Sequence, residues 1–525
     1  AAADRKMSLS CDPPQAESFA SETLSKCVGN HVGRKERGGM MITLDEAKEL
    51  GKGYKVVPIS KEILSDIRTP IEVLRILKGV SRHCYMLESV EHQERWGRYT
   101  FLGYDPKMEI TCMNGSLTIR NGSTKIKTVE HPGEGIKELL KEYTSPKVEG
   151  LPTFTGGLVG YFSYDYVKYS EPKLNLDAED TEGFKDVDLM LFDKVIAFDN
   201  LRQKIIVIAN ARMEDIEAEY TRCTAEIGDI IKLIREGMPT TIEPGRITSD
   251  FRALFSEKEY CAMVEKAKKH IYEGYVFQVV LSNRLEADYE GSLLNTYRHL
   301  RTINPSPYMF YFSSDDMEVA GASPETLVKL EDGVLHTFPL AGTKPRGKTQ
   351  EEDQELERIL LSDEKERAEH NMLVDLGRND LGKISRFGTV KVEKYMSIER
   401  YSHVMHIGST VAGQIREDCC NLDAVDAVLP AGTLSGAPKI RAMEIINELE
   451  NNKRGIYGGA IGYIDFTGNL DTCIAIRIAY KKNGKVFVRS GAGIVADSVP
   501  ESEYNECLNK ARAVMNAVNE SDELD

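Results

Sequence analysis

The second half of this chain contains short strand-type runs separated by hairpin turn signals, and this succession constrains the fold most. Predicted strands at residues 326–330 and 334–338 flank Asp332-Gly333, and two further strands meet at Asn483-Gly484. Asp-Gly and Asn-Gly favour the tight turns that join antiparallel neighbours. The sequence therefore predicts an α+β fold with antiparallel sheets and not a regular alternation of strands and helices.

Helices are predicted between the groups of strands. Ser256 and Glu259 have the spacing of a capping box at a helix start, and Gly274 provides a stop. Further helical segments are predicted at residues 214–235, 349–380, 435–450 and 501–519.

The 525 residues suggest two domains or one large composite domain. Residues 1–40 have few apolar residues in periodic order, which predicts a disordered tail or an expression remnant. A linker containing Pro, Gly and Thr at 238–250 separates residues 41–250 from residues 251–525.

The net charge of -16 disfavours partnership with nucleic acid or an anionic membrane. No apolar run approaches the roughly 18–20 residues that a membrane helix needs. Ten cysteines without a C-x-x-C pair favour reduced thiols and a cytoplasmic location. A site for an anion in such an acidic chain must supply its own positive charge.

Two pairs of carboxylates are candidates for metal binding. Glu366 and Glu369 lie three residues apart in one predicted helix, and Glu503 and Glu506 in another, so each pair shares a helix face. Carboxylates from two facing helices could hold a hard divalent cation. Spacing alone also fits two solvated acidic faces, with Lys510 as a surface partner of Glu506.

Several other residues have both a structural and a functional interpretation. Glycines at 432–436 and 490–493 could present N–H groups to an anion or could form simple turns, and neither matches a nucleotide-binding motif. Arg477, in the predicted strand 472–480, lies either at an edge or buried with a partner. His406 lies in an apolar stretch, where a histidine is more often a core residue than a catalyst.

Together these segments resemble the chorismate-utilising enzymes, and among them the large subunits of anthranilate synthases. The resemblance runs through most of 256–520. Its motifs are FQVVLS at 277–282, ASPE at 322–325, PLAGT at 339–343, ERAEHNMLVDLGRND at 366–380, VMH at 404–406, TLSGAPK at 433–439, SGAGIV at 490–495 and EYNECLNKA at 503–511.

The resemblance implies two face-to-face antiparallel sheets flanked by helices, with the N-terminal half interleaved with the C-terminal half. It implies a chorismate-binding catalytic domain at 251–525 and an Mg²⁺ site, with Glu369 and Glu506 as direct ligands beside Glu366 and Glu503. The substrate-binding positions that it implies are Gly342, Tyr457, Arg477, Gly491, Ala492, Gly493 and Lys510.

For the reaction, the resemblance implies Glu325 as the acid that protonates the leaving C4 hydroxyl and His406 as an aid to pyruvate elimination. Thr343 joins these catalytic positions. Gln278 replaces the lysine base of relatives that add water, and Ala341 replaces a nucleophilic lysine of aminodeoxychorismate synthases. Both favour direct addition of ammonia at C2. A synthase that stops at 2-amino-2-deoxyisochorismate and a non-catalytic tryptophan-binding scaffold stay as alternatives.

Residues 41–250 resemble the family's regulatory region, which implies feedback inhibition by tryptophan. The same residues could instead be core contacts between subdomains. No glutaminase nucleophile motif is present, so ammonia is expected from a partner glutamine amidotransferase subunit. The predicted tryptophan-binding residues are Leu87, Glu88, Ser89, Arg98, Asn304, Pro307, Tyr308 and Met309.

Overall fold

Two antiparallel sheets of 13 and 12 strands form the framework of the protein. The computed structural model describes residues 41–89, 97–401 and 404–522, so the tail predicted at 1–40 lies outside the described residues. All pairings between the named strands of these ranges are antiparallel. The predicted α+β class is confirmed.

The strands are β1 (Val56–Leu64), β2 (Cys84–Glu88), β3 (Tyr99–Tyr104), β4 (Met108–Met113), β5 (Ser116–Asn121), β6 (Ser123–Thr128), β7 (Gly157–Phe162), β8 (Val187–Phe192), β9 (Lys194–Asp199), β10 (Lys204–Arg212), β11 (Arg246–Ile247), β12 (Arg252–Ala253), β13 (Gln278–Glu290), β14 (Tyr308–Ser313), β15 (Glu318–Ser323), β16 (Thr326–Glu331), β17 (Val334–Thr337), β18 (Leu340–Pro345), β19 (Lys391–Arg400), β20 (Val404–Gln414), β21 (Gly436–Ala437), β22 (Ala460–Asp465), β23 (Leu470–Ile474), β24 (Ile478–Lys482) and β25 (Lys485–Ile494).

The helices are α1 (Leu44–Leu50), α2 (Pro70–Val80), α3 (Pro132–Lys141), α4 (Val167–Ser170), α5 (Ile216–Glu236), α6 (Glu257–Tyr272), α7 (Leu294–Ile303), α8 (Gln350–Ser362), α9 (Glu364–Gly382), α10 (Asn421–Val428), α11 (Lys439–Glu450) and α12 (Pro500–Asn519), with short 3₁₀ turns at Tyr164–Tyr166 and Gly432–Leu434. No helix within the described ranges is both long and apolar enough to cross a membrane.

Each sheet is built from strands of both halves of the chain. The first sheet runs β1-β10-β9-β3-β2-β14-β15-β24-β25-β13-β11, and the second runs β18-β20-β17-β16-β23-β22-β7-β8-β4-β5-β6. The halves join where β2 pairs with β14 and where β22 pairs with β7. The predicted interleaving is therefore confirmed.

The two sheets pack face to face through an aromatic core. Tyr85, Phe101 and Phe312 from the first sheet share one buried cluster with Tyr161 and Phe192 from the second. Large flat side chains bury much apolar area in this layer. Two further clusters pack helices on the outer faces: α5 and α7 against the first sheet, and α10 against the second.

Local sequence sets the helix starts that matter for the site. The predicted capping box is present, because the Ser256 side chain accepts from the Glu259 N–H and the Glu259 carboxylate accepts from the Ser256 N–H. Asp363 caps α9 by accepting from the N–H groups of Lys365 and Glu366. Pro500 occupies the first turn of α12, where its missing N–H has no cost.

Three predicted elements differ from the structure. The helix predicted at 349–380 is two helices, α8 and α9, because the Asp363 side chain starts a new helix there. The strand predicted at 472–480 is two strands in different sheets, β23 and β24, with Arg477 between them. The helix predicted from 435 begins at Lys439, since residues 436–437 pair with β13 before Pro438.

Candidate active site

A cavity of about 590 Å³ lies beside β25 and β13, near one edge of the first sheet, and beside the β18 edge of the second. Strands β13, β18 and β25, helices α9 and α12, and the turn at Gly432–Leu434 supply its walls. The predicted site residues that line it are Gln278, Glu325, Gly342, Thr343, Glu366, Glu369, Tyr457, Arg477, Gly491, Gly493, Glu503, Glu506 and Lys510.

Both predicted carboxylate pairs face this cavity from the first two turns of their helices. Glu366 and Glu369 follow the start of α9, and Glu503 and Glu506 follow the start of α12. The first turn of a helix favours negative charge, which supports Glu366 and Glu503 in an otherwise acidic region. The spacing therefore produces one acidic wall, not two solvated faces.

The carboxylates of this wall affect one another. Burial and the neighbouring Glu366 raise the pKa of Glu369, and burial with the nearby Glu506 raises the pKa of Glu503. Lys510 donates to Glu506 at 2.7 Å and to the Gly491 carbonyl at 3.2 Å. Lys510 thus connects the acidic wall to the glycine-rich strand β25.

The lining of the cavity carries more acidic than basic side chains, so a bound cation would balance its charge. Its lining has four basic side chains (Lys365, Arg477, Arg489 and Lys510) and five acidic ones (Glu325, Glu366, Glu369, Glu503 and Glu506). Arg489 is already paired with the buried Glu450 at 2.7 Å. The protein alone therefore does not provide the positive charge that an anionic substrate requires.

The four glutamates fit a loosely held Mg²⁺. Mg²⁺ takes one or two carboxylates and keeps water or substrate oxygens as its other ligands. Within the described ranges, only His83, Glu109 and Asp315 bring three possible ligand atoms within 4.8 Å of one another. No three of the cavity glutamates bring carboxylate oxygens within 4.8 Å of one another, so water or substrate oxygens would have to complete the coordination.

Arg477 enters the cavity from the break between β23 and β24. Its φ of 52° is in the left-handed region, which is strained for a residue with a side chain. Burial lowers the pKa of its guanidinium, and Glu325 opposes that effect. Its recorded side-chain hydrogen bond goes to Asn304 Oδ1 at 3.4 Å, which leaves most of its five donors for a ligand.

Glu325 lies at the β15–β16 turn with its carboxyl in the cavity. Burial raises its pKa to about 7, against the opposing influence of Thr433, Arg477 and Lys510. The Thr433 hydroxyl donates to Glu325 Oε1 at 3.0 Å. A carboxyl with such a pKa is populated in both protonation states near neutral pH, which suits a general acid.

His406 lies behind the β18 edge and does not line the cavity itself. Its Nδ1 lies 2.8 Å from the Gly342 carbonyl and 3.1 Å from Thr343 Oγ1. Because a carbonyl only accepts, Nδ1 carries the proton and Nε2 is left with the free lone pair. Burial lowers the pKa of His406, and Arg477 adds to this effect, which favours the neutral ring.

The glycines of β25 allow neighbouring side-chain and backbone atoms to lie close to the strand at the floor of the cavity. A Cβ on Gly493 would lie 2.5 Å from Gln278 Nε2, and a Cβ on Gly491 would lie 2.6 Å from the Leu281 carbonyl and 3.2 Å from the Tyr457 hydroxyl. Ala492, between them, is fully buried and packs in the core instead of lining the cavity.

The sequence analysis did not single out a buried ion-pair network under this floor. Glu450 accepts from Arg454 and Arg489, and both arginines are at most 1% exposed. It also accepts from the N–H and hydroxyl groups of Ser282. Like Arg477, Arg489 lies inside an apolar run, and that signal could have identified it.

A second cavity of about 270 Å³ lies between the two sheets. Seven of the eight predicted tryptophan-binding residues line it: Leu87, Glu88, Ser89, Arg98, Pro307, Tyr308 and Met309. Asn304 is not among its lining residues, and its amide oxygen accepts from Arg477.

The polar groups of the second cavity are partly paired. Arg301 and Tyr297 donate to Glu88, and Arg98 binds Asp199 at 2.8 Å. The Tyr308 hydroxyl donates to Asp471 at 2.8 Å. Its aromatic walls are formed by Tyr99, Phe101, Phe310 and Tyr463.

Known proteins are similar to this chain over most of its length. A family model described as chorismate binding enzyme matches residues 82–516. "Anthranilate synthase component 1" of Acetivibrio thermocellus is 46% identical over 491 residues, 92% of this chain and 99% of that protein. The protein of the same name from Aquifex aeolicus is 46% identical over 487 residues, 92% of this chain and 98% of its own length.

Solved structures show the same relationship. Anthranilate synthase component I from Streptococcus pneumoniae TIGR4 matches with a TM-score of 0.72 and 38% identity, over 86% of this chain and 98% of that one. The menaquinone-specific isochorismate synthase MenF from Escherichia coli matches with a TM-score of 0.66 at 18% identity, over 90% of this chain and 98% of that one, which shows a shared fold. With the family match and the 46% identical relatives, these findings show that the chain belongs to the chorismate binding enzyme family.

Proposed function

We propose that this chain is the large subunit of an anthranilate synthase, which converts chorismate and ammonia to anthranilate, pyruvate and water. The observation that carries the proposal is the cavity that combines a carboxyl of pKa about 7, Glu325, with two carboxylate pairs and Arg477. Relatives named anthranilate synthase component 1 match nearly the whole chain at 42–46% identity.

Substrate binding in this proposal uses charge from three sources. Arg477 and Lys510 attract the two carboxylates of chorismate, and backbone N–H groups near Gly491 and Gly493 add dipoles. Glu369 and Glu506, with Glu366 and Glu503 beside them, would hold Mg²⁺, which would supply the remaining positive charge for the ring carboxylate. Five acidic side chains in the lining make that additional charge necessary.

The first chemical step joins ammonia to C2 while the C4–O bond breaks. Hydroxide is a poor leaving group, so the Glu325 carboxyl gives its proton to the C4 oxygen and water departs. The nitrogen then loses one proton, which balances the proton that Glu325 donated. Gln278 lines the cavity with a neutral amide, and Ala341 offers no nucleophile, so ammonia itself attacks.

The second step removes the proton at C2 and breaks the C3–O bond, so that the ring becomes aromatic. The released enolpyruvate takes up a proton at its methylene carbon and becomes pyruvate, which balances the proton lost from C2. We assign His406 to this step: its ring stands behind the cavity wall, with Nδ1 bound to the lining residue Gly342, and its neutral form keeps a lone pair on Nε2. Thr343 lies 3.1 Å from the same Nδ1 and helps to fix the ring.

A direct assay tests the function. Purified chain, chorismate, Mg²⁺ and ammonium should produce the blue fluorescence of anthranilate and one pyruvate per turnover. Formation of an amine product without pyruvate would instead identify a 2-amino-2-deoxyisochorismate synthase. Absence of any turnover would identify a non-catalytic protein and refute the proposal.

Ammonia comes from glutamine through a separate glutamine amidotransferase subunit in this proposal. The chain has no G-x-C-x-G nucleophile motif, and the eight cysteines of the described ranges are free thiols, five of them buried in apolar clusters. The reduced thiols also support a cytoplasmic location. Glutamine should support turnover only when a partner glutaminase is added, so glutamine-dependent turnover by the isolated chain would contradict this assignment.

Tryptophan is the proposed inhibitor, bound in the second cavity. Aromatic walls suit an indole ring, and Arg98 with Asp471 offers charges for the two ends of an amino acid. Calorimetric titration should show one tryptophan per chain, whereas phenylalanine, which lacks the indole N–H, should bind more weakly. Equal affinity for both amino acids would refute the assignment of this cavity.

A further inference from the structure

Thr433 makes the hydrogen bond that holds the Glu325 carboxyl. Its hydroxyl lies 3.0 Å from Glu325 Oε1, and it is the only side chain recorded as donating to that carboxyl among the described residues. Thr433 lies in the 3₁₀ turn Gly432–Leu434, whose following residue Ser435 is anchored to the Ala431 carbonyl at 2.8 Å. The turn therefore presents the hydroxyl from a fixed position.

The direction of this bond distinguishes the two carboxyl oxygens. An oxygen that accepts from a hydroxyl is the one that remains the carbonyl oxygen when the carboxyl is neutral. The other oxygen, Oε2, has no recorded hydrogen-bond partner within the described ranges and is left to carry the proton. A general acid works only when its proton lies on the oxygen that faces the leaving group.

We propose that Thr433 is a positioning residue for the general acid, which holds Glu325 Oε1 as acceptor and so keeps the transferable proton on Oε2. The inference rests on the proposed function, because it assigns Glu325 the role of acid. Thr433 itself is not a catalytic residue in this proposal, since it acts on the substrate through Glu325.

Other charged groups around Glu325 also influence its pKa and must stay unchanged in a test of Thr433. Arg477 from the β23–β24 break and Lys510 from α12 both stabilise its ionised form. Glu366 and Glu369 of α9, with Glu503 and Glu506 of α12, line the same cavity, and Asp380 lines a small cavity of about 40 Å³ behind Glu325. None of these groups is changed by a substitution at Thr433.

Thr433→Val removes the hydroxyl at nearly constant volume. Because the hydroxyl stabilises the carboxylate, its loss moves the pKa of Glu325 upward from about 7. We expect kcat to fall about tenfold or more, as the proton is no longer confined to one oxygen, with KM for chorismate changed less than about threefold. The alkaline limb of the kcat–pH profile should move to higher pH, although the enzyme is slower.

Thr433→Ser keeps the hydroxyl and should restore both kcat and the alkaline limb. Thr337→Val is the matched control, because Thr337 lines the small cavity but donates to the Leu327 carbonyl and not to Glu325. It should leave the alkaline limb in place. In an enzyme that already carries Glu325→Gln, Thr433→Val should cause no further loss of kcat.

The outcomes separate the inference from the function on which it rests. Wild-type turnover to anthranilate supports the function, and its absence refutes it. An active wild type together with a Thr433→Val variant of unchanged kcat and pH profile overturns only the positioning role. If Thr433→Val does not fold, Thr433→Ala serves the same comparison, and additive losses with Glu325→Gln also overturn the inference.

Discussion

Replacement of Glu325 by glutamine removes the proposed general acid while it conserves shape and the bond from Thr433. A carboxyl with the ordinary value of 4.5 is only roughly 0.3% protonated at pH 7, whereas one with a pKa of about 7 is about half protonated. Burial therefore enriches the reactive form by about two orders of magnitude. An amide cannot serve as an acid, so kcat should fall by about 10²–10⁴-fold.

The same substitution should stabilise the folded protein above neutral pH. The folded-state pKa of Glu325 is raised, so the unfolded state releases its proton first and stability is lost as pH rises from about 4.5 to about 7. A rise in the pKa of Glu325 from 4.5 in the unfolded state to about 7 in the folded state lowers the free energy of unfolding by about 3 kcal/mol above neutral pH. Glu325→Gln removes this loss of stability, and for a protein of this size we expect its Tm to be higher by about 3 °C.

Two measurements check this prediction together. Anthranilate fluorescence with saturating ammonium gives kcat between pH 6 and 9, where wild-type kcat should fall about tenfold per pH unit above 7. Differential scanning calorimetry gives Tm for both proteins, whose difference should be absent near pH 4.5 and constant above pH 7. A variant that keeps more than a tenth of wild-type kcat, or that is less stable at pH 8, would refute the role of Glu325.

Three further predictions concern the other parts of the proposed function. Glu506→Gln should weaken Mg²⁺ binding at least about tenfold by calorimetry and abolish ammonia-dependent turnover, while Glu501→Gln, on the same helix but outside the cavity lining, should do neither. Arg477→Lys should raise KM for chorismate about tenfold with a smaller change in kcat, because a point charge replaces a planar fork; an unchanged KM would contradict substrate contact. Ser89→Leu places a bulkier side chain in the second cavity and should weaken tryptophan binding more than about tenfold, so retained inhibition would place tryptophan elsewhere.

The sequence predicted most strands and helix starts because their signals are local. The turn at Asp332-Gly333 and the capping box of Ser256 each depend on residues within four positions, and both are present. The break at Arg477 was missed because residues 473–480 form one continuous apolar run apart from Arg477, which is typical of a single buried strand. Only the packing of the two sheets reveals that the chain changes partners there. Asp363 was missed as a helix start because the helical pattern continues on both sides of it.

For the candidate site, the family resemblance supplied positions that periodicity could not. Most of the implied positions meet in one cavity, although their motifs lie far apart in the chain. Ala492 does not line that cavity, because β-strand alternation turns its side chain into the core. His406 lies in β20, one strand behind β18, where its ring contacts Gly342 and Thr343 of the cavity wall. The bond from Thr433 to Glu325 could not be found from sequence, because it depends on a turn 108 residues away.

The passage of the chain between sheets at Ala475–Arg477 has a mechanical consequence. β23 belongs to the second sheet and lines the second cavity through Asp471 and Cys473, whereas β24 belongs to the first sheet. These three residues are one of several short links between the sheets, together with Asp193 between β8 and β9 and residues 324–325 between β15 and β16. Arg477 belongs to the link between β23 and β24, so a ligand bound between the sheets beside Asp471 and Cys473 would be connected through a few residues of chain to the arginine proposed to bind a substrate carboxylate.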